Sequence, residues 1–332
     1  MLSSARRLLK QSKAAIVGYH MLENWKSGIK LRSGDSTSAV LPHADFAGDI
    51  GAALAHVNDT FSSYFDNSPA DRDMLDGARV LEVGPGDSFG VALAFLVDGA
   101  RQVVCLDRFL CQRDPARERA TYEGLRKGLS QEQRRRFDDA VDLGGEIRFN
   151  PDRLIYIHGV GLEEASRQLE AGSFDFIVSM AVLEHVYDGV AAFKEMDKLL
   201  KPGGYMLHGV DFRDHGLFSS GGHHPLTFLT IGDSAYRLMS NNTGLPNRNL
   251  IDFYRGVITD LNYDFSITKA RVVGEKREIS PHKADLKLGE DYSDATLSLL
   301  QEIRPKLLPK FRAMSDDDLM VSAMFLAARK PQ

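Results

Sequence analysis

The stretch from Ala78 to Asp107 constrains this chain more than any other. It reads Ala78-Arg79-Val80-Leu81-Glu82-Val83-Gly84-Pro85-Gly86-Asp87-Ser88-Phe89-Gly90, then an apolar helical run, then Gln102-Val103-Val104-Cys105-Leu106-Asp107. The pattern predicts a strand, a glycine turn, a helix over about Ser88 to Val97, a second strand, and an acid at that strand's tip. Gly84 and Gly86 allow a tight turn and the approach of a ligand where a Cβ would stand in the way. The helix that follows is expected to aim its first N–H groups at that ligand. Asp107 is placed to accept from both hydroxyls of a ribose. Together these are the mononucleotide-binding half of a doubly wound sheet.

The glycine spacing narrows the choice of nucleotide. A dinucleotide fingerprint runs G-x-G-x-x-G. Here Gly84 and Gly86 are followed by Gly90, one residue later than that pattern requires, which counts against a nicotinamide-dependent oxidoreductase.

Composition sets outer bounds. The 332 residues suit one large domain or one domain with a sizeable insertion. Hydrophobic residues at 43% and charged residues at 26% fit a packed core. A net charge of −5 disfavours a general nucleic-acid binder. The two cysteines, Cys105 and Cys111, fit neither a disulfide framework nor a zinc pattern. A reducing, cytoplasmic setting is the expectation. No apolar run approaches the roughly 20 residues that span a bilayer.

The N-terminus is basic, and no acid precedes Glu23. Three readings are open for residues 1–31: a helix packed on the domain, which is favoured, a membrane-surface helix, and an organelle transit peptide. A helical pattern surrounds Ile50 to Val57. The charged run from Arg113 to Asp142 reads as one or two solvated helices. Further strands are expected at Leu154–His158, Phe174–Met180, Tyr205–Val210, from Tyr263, and at Met320–Ala328. Leu200-Lys201-Pro202-Gly203-Gly204 is read as a helix stop. Beyond the fifth strand, His208, Asp211, Arg213, Asp214 and His215 form a dense set of titratable groups where an open α/β sheet binds ligands. Acid–base work, a structural hydrogen-bonded loop and a divalent metal site are all readings of it. The spacing matches no metal motif, so no metal is assigned.

Three marks in order carry a family resemblance. Glu82 two residues before Gly84, with Pro85 between the glycines, resembles motif I of the class I S-adenosylmethionine-dependent methyltransferases. Ser179-Met180 running into Ala181-Val182-Leu183-Glu184-His185-Val186 resembles motif IV, and Leu200 to Gly204 before a strand is the third mark. The likeness covers about residues 78–212. A narrower likeness rests on Gly84-Pro85-Gly86-Asp87, Leu183 to Val186, His208 to His215 and Asn247-Arg248. These look like a group of bacterial methyltransferase-domain proteins, several of them associated with surface-polysaccharide genes.

The resemblance implies an α/β fold: a doubly wound, mostly parallel seven-stranded sheet whose antiparallel last strand inserts between the fifth and sixth. It carries a helical N-terminal extension and helical insertions near the C-terminus. Residues 1–77 would form a helical extension or lid, and 78–332 the methyltransferase domain, with 212–262 capping the substrate. S-adenosyl-L-methionine would be the cofactor, with Glu82, Gly84 and Gly86 at its amino-acid end, Asp107 at the ribose, Val160 and Gly161 at the adenine edge, and Ser179 as the fourth-strand wall. The implied reaction is methyl transfer to an oxygen of a small molecule or glycan. Candidate catalytic groups are His215, Asp211 and His185, with His208 also placed nearby. The fourth strand is followed by no Asn-Pro-Pro tetrad, which again disfavours nucleic acid. A binding protein that keeps the cofactor site without a base is the non-enzymatic alternative.

Overall fold

The computed structural model describes residues 11–32, 49–273 and 293–332. Seven strands make one sheet: β1 (Arg79–Val83), β2 (Gln102–Asp107), β3 (Leu154–His158), β4 (Phe174–Met180), β5 (Leu200–Asp211), β6 (Asp264–Val272) and β7 (Val321–Arg329). Their order is β3-β2-β1-β4-β5-β7-β6, so the last strand lies between the fifth and sixth as expected. β1 runs parallel to β2 and β4, and β2 parallel to β3. β7 runs antiparallel to β5: Phe212 N–H donates to Ser322 and Lys330 N–H to Gly204.

The described residues fall into two compact units. The larger takes in 49–208, 258–266 and 326–332; the smaller takes in 11–32, 209–257, 267–273 and 293–325. In the larger unit, β1, β2 and β4 are almost wholly buried, as strands covered on both faces must be. Helices α2 (Ile50–Asp66), α3 (Gly90–Val97), α4 (Pro115–Lys127), α5 (Gln131–Ala140) and α6 (Gly189–Leu199) flank them. α3 is apolar all round and buried at seven of its eight positions, which marks it as a core helix. It packs closely on α2, because a Cβ at Gly90 would stand 2.5 Å from Val57 Cγ2. Phe95 is fully buried, with Phe61 edge-on at 5.0 Å and Tyr64 and Phe65 around it.

The smaller unit holds α1 (Lys13–Arg32), α7 (Asp233–Ser240), α9 (Asp294–Ile303) and most of α8 (Ile251–Asp260). Arg248 is its keystone. The guanidinium, 5% exposed, donates to the Phe228 and Ile231 carbonyls and to Asp233, and lies 3.9 Å over the Tyr236 ring.

Leu200 to Gly204 stops the helix as expected, since α6 ends at Leu199 with Leu200 as its C-cap, and the same residues open β5. The resemblance to motif IV further implies that Glu184 and His185 open the next helix, and here they do not open α6. They lie in a single 3₁₀ turn, Leu183–His185, and Asp188 caps the helix by accepting from Ala191 N–H. The strand expected over Tyr263 to Ile279 is found at Asp264–Val272, and residues 274–279 of that expectation lie outside the described residues.

Truncating Phe95 to Ala should cost about 3–5 kcal/mol of stability, the usual loss for a fully buried ring. Urea denaturation followed by circular dichroism checks this. A loss below about 1 kcal/mol would mean that the aromatic cluster is not part of the core.

Candidate functional site

The site begins at the carboxyl ends of β1 and β2. Gly84 and Gly86 both have φ of +71°, a region closed to most side chains. Gly84 is doubly required, because a Cβ there would stand 2.5 Å from Val182 Cγ2 at the exit of β4. The Gly84 N–H donates to the Leu106 carbonyl at 2.8 Å, so the hinge is tied to the residue before Asp107. Open space lies on the side where a Gly86 Cβ would point. Asp107 is half-buried at the tip of β2, and its Oδ1 accepts from Phe109 N–H at 3.1 Å.

Register explains which other groups join them. Glu82, Cys105 and Tyr156 pair across β1, β2 and β3, and residues at paired positions share a face. Asp107 lies on that same face, two residues after Cys105. Glu82 is buried and accepts from the Cys105 thiol at 3.4 Å. Burial raises its carboxyl to about 7, against smaller opposing pulls from Cys105 and the Arg113 guanidinium. Burial likewise raises Asp107, opposed by the Phe109 N–H and Arg113.

Arg113 is the residue that sequence reasoning missed. It was read as the start of a solvated run, yet its side chain is 9% exposed. The guanidinium lies 3.9 Å over the Phe89 ring and 4.5 Å over the Tyr156 ring. Its Nε and Nη2 have no hydrogen-bond partner among the described residues. Glu118 is 3.9 Å away and accepts instead from the Tyr122 hydroxyl. That hydroxyl takes the Phe89 N–H, and Ser88 Oγ takes the Gly90 N–H. The N–H groups of Phe89, the N-cap of α3, and of Gly90 are therefore engaged by the protein. One sequence cue for Arg113 existed: it lies between strand β2 and the Asp114-Pro115 helix start, not within the helix.

The remaining candidates are placed less uniformly. Val160 and Gly161 follow β3, and Gly161 admits the Arg108 guanidinium, with which a Cβ would collide. Arg108 pairs with Glu163 and lies 4.2 Å over the Tyr187 ring. Glu163 also accepts from the Tyr187 and Asp188 N–H groups. Ser179 is fully buried, and its hydroxyl is 2.8 Å from His208 Nδ1. Burial lowers His208 to about 3, so its imidazole stays neutral. It is sealed off from solvent, which removes it as a base for an exchanging proton. His185 is half-buried in its 3₁₀ turn. Just before it, Ala181 has φ of +54°, a strain that persists only where the surroundings enforce it.

The smaller unit carries Asp211, Arg213, Asp214 and His215. Asp214 organises the loop, accepting from the N–H groups of Gly216, Phe218 and Ser219 and from the Ser219 hydroxyl. This is the structural role the sequence left open for the segment. Asp211 is buried and accepts from Arg213 through both carboxylate oxygens. Burial alone would raise its carboxyl, but the Arg213 contacts and nearby His215 outweigh burial and hold it below the usual range. His215 is exposed with φ of +51°.

Glu82 sets a pH dependence. Its folded carboxyl titrates near 7 against an ordinary 4.5. Between those values the folded chain holds a proton that the unfolded chain has lost. Stability should therefore fall as pH rises through this window, by about 3 kcal/mol from this group. Glu82→Gln should remove that decline. Urea midpoints at pH 5 and pH 8 test it, and identical slopes for both proteins would show that Glu82 is ionised throughout.

Among solved structures, the chain is similar to a Haemonchus contortus phosphoethanolamine N-methyltransferase 2, with 16% identity over 83% of this chain and 53% of that one, at a TM-score of 0.41. It is also similar to an S-adenosylmethionine-dependent methyltransferase from Mesorhizobium loti, with 14% identity over 86% and 100% and a TM-score of 0.39. At these values neither bears on what this chain does. No curated protein matches it. A family profile described as a methyltransferase domain matches residues 53–256, more than half of the chain. On the strength of that match and of the hinge that β1 carries, this chain belongs to the methyltransferase-domain family.

Proposed function

We propose that this chain transfers a methyl group from S-adenosyl-L-methionine to an oxygen, less readily a nitrogen, of a small molecule or glycan. The observation that carries the reading is the bond from Gly84 N–H to the Leu106 carbonyl, which brings the hinge and the Asp107 carboxylate to adjacent strand ends. The residues fit the cofactor. Gly86 leaves open space, Asp107 offers a carboxylate to the ribose hydroxyls, and buried Glu82 meets the cationic amino-acid end. Val160 is assigned to the adenine edge. Gly161 has a weaker place there, because Arg108 covers it. Ser179 acts as wall through its backbone, since its hydroxyl is engaged by His208.

When bound, S-adenosyl-L-methionine supplies a methyl on a sulfonium that departs as a neutral thioether, so no acid is needed on that side. Alignment of the two reactants replaces a bimolecular encounter. A hydroxyl acceptor must still lose a proton, and histidine suits that near neutral pH. His215 is the favoured base, because it is exposed and held in strained backbone. Asp211 is held ionised by Arg213, which makes it a weak proton acceptor but a suitable charge beside an imidazolium. His185 is the second candidate base. Within the same proposal, residues 212–262 recognise the acceptor and the N-terminal 77 residues serve as an extension or lid.

Asp107→Ala should weaken binding of S-adenosylhomocysteine by roughly 1–3 kcal/mol. Calorimetry measures this, and unchanged affinity would remove Asp107 from the site. Incubation with radiolabelled cofactor and a cell extract should yield a labelled small molecule or glycan. Label on nucleic acid, or none, would overturn the acceptor assignment. Once that acceptor is in hand, His215→Ala should lower kcat about 10²–10⁴-fold while leaving S-adenosylhomocysteine affinity unchanged. An unaltered kcat would pass the role to His185.

A further inference from the structure

Helix α1 is packed within its unit on one face and exposes apolar side chains on the other. The inner face carries buried Ile16, Asn24 and Gly28. It is pinned to the α7 end: Asn242 N–H donates to Asn24 Oδ1 at 2.6 Å, and the missing Cβ of Gly28 makes room for the Asn242 side chain. Lys13 donates to Thr230 Oγ1 at 2.5 Å. These contacts fix which face turns outward. On that face Tyr19 is 58% exposed, Leu22 49%, Trp25 63% and Ile29 49%. At about 100° per residue the four fall within an arc of about 120°. A helix whose inner face is packed should be polar there, and a contiguous exposed apolar patch marks an interaction surface.

The charge around the patch selects the partner. The helix carries Lys13, Lys26, Lys30 and Arg32 against one acid, Glu23, although the whole chain has a net charge of −5. By the same helical geometry Lys30 and Arg32 border the apolar arc, and Lys26, paired with Glu23 at 2.8 Å, falls near its edge inside it. In the sequence, Arg6, Arg7 and Lys10 precede the helix. A second copy laid on this face would set basic borders against each other, as a two-fold interface pairs a patch with itself. An anionic lipid surface satisfies both features, because aromatic rings favour the headgroup level and each basic residue near such a surface adds about 1 kcal/mol.

We infer that the outer face of α1, through Tyr19, Leu22, Trp25 and Ile29 with Lys26, Lys30 and Arg32, docks the protein reversibly on anionic membrane surfaces. The helix lies in the interface and does not span it; no helix among the described residues is long and apolar enough to cross a membrane. The inference does not depend on methyl transfer, since it uses none of the residues assigned to the cofactor or to proton transfer.

Trp25 is the chain's single tryptophan, so its fluorescence reports from this face alone. With phosphatidylcholine vesicles containing phosphatidylserine, the emission should shift to the blue and the protein should co-sediment. Both signals should be lost in high salt. Lys26→Glu with Lys30→Glu should weaken partitioning about tenfold or more, and Leu22→Ser with Ile29→Ser should abolish the shift. All four positions are surface positions, and the salt response of the unaltered chain gives a readout that does not depend on how the variants fold. Unchanged emission with anionic vesicles overturns the inference. So does equal binding to phosphatidylcholine alone, which would remove the role of charge. A shift that follows protein concentration without lipid would assign the face to a second copy.

Discussion

The site depends on how near the chain at Gly84 comes to the chain at Val182. A Cβ at that glycine would stand 2.5 Å from Val182 Cγ2, so the Val182 side chain or the backbone beside it would have to give way. The same glycine takes a left-handed φ and gives its N–H to Leu106. Three strand ends are thus brought together by one residue without a side chain. Glu82, two positions earlier, is carried into the interior by the alternation of the strand, and Asp107 is set at the tip of the neighbouring one. The chemistry of the crevice is in this sense inherited from a steric condition on the backbone.

The second theme is strain held at strand exits. Ala181 follows β4 and His215 follows β5, both with positive φ and neither a glycine. Such conformations cost on the order of 1–3 kcal/mol each and persist only where neighbouring contacts impose them. For His215 those contacts are visible. Asp214, one residue earlier, gathers three N–H groups and a hydroxyl, and Asp211 is clamped by Arg213. The loop is thus built like a bracket, with acids turned inward to hold backbone and an imidazole left at the surface.

Much of this was legible in the sequence. The Gly84–Gly86 hinge, the acid at the end of β2 and the apolar run of β4 follow from turn chemistry and burial, which short windows encode. Strand order, including the insertion of β7 between β5 and β6, came through the family resemblance. What was not legible depended on long-range packing. Arg113 looks solvated beside its charged neighbours, and only the fold sets the Phe89 and Tyr156 rings beneath it. The same holds for Tyr122, whose hydroxyl reaches back 33 residues to Phe89 N–H and takes a donor from the start of α3. His208 looked like a base in a titratable cluster, but strand alternation turns it into the core against Ser179. Leu200 to Gly204 is a stop signal that the fold obeys, because α6 ends at Leu199; only its second use, as the opening of β5, was not legible.

The protonated state of Glu82 has a consequence for occupancy. Burial raises the Glu82 carboxyl to about 7, so near neutrality it holds a hydrogen ion part of the time. Any cation that settles against it takes that ion's place and releases it to the surrounding water. Filling the crevice and acidifying the medium then become two sides of one exchange, and the heat of filling depends on the buffer that receives the displaced ion.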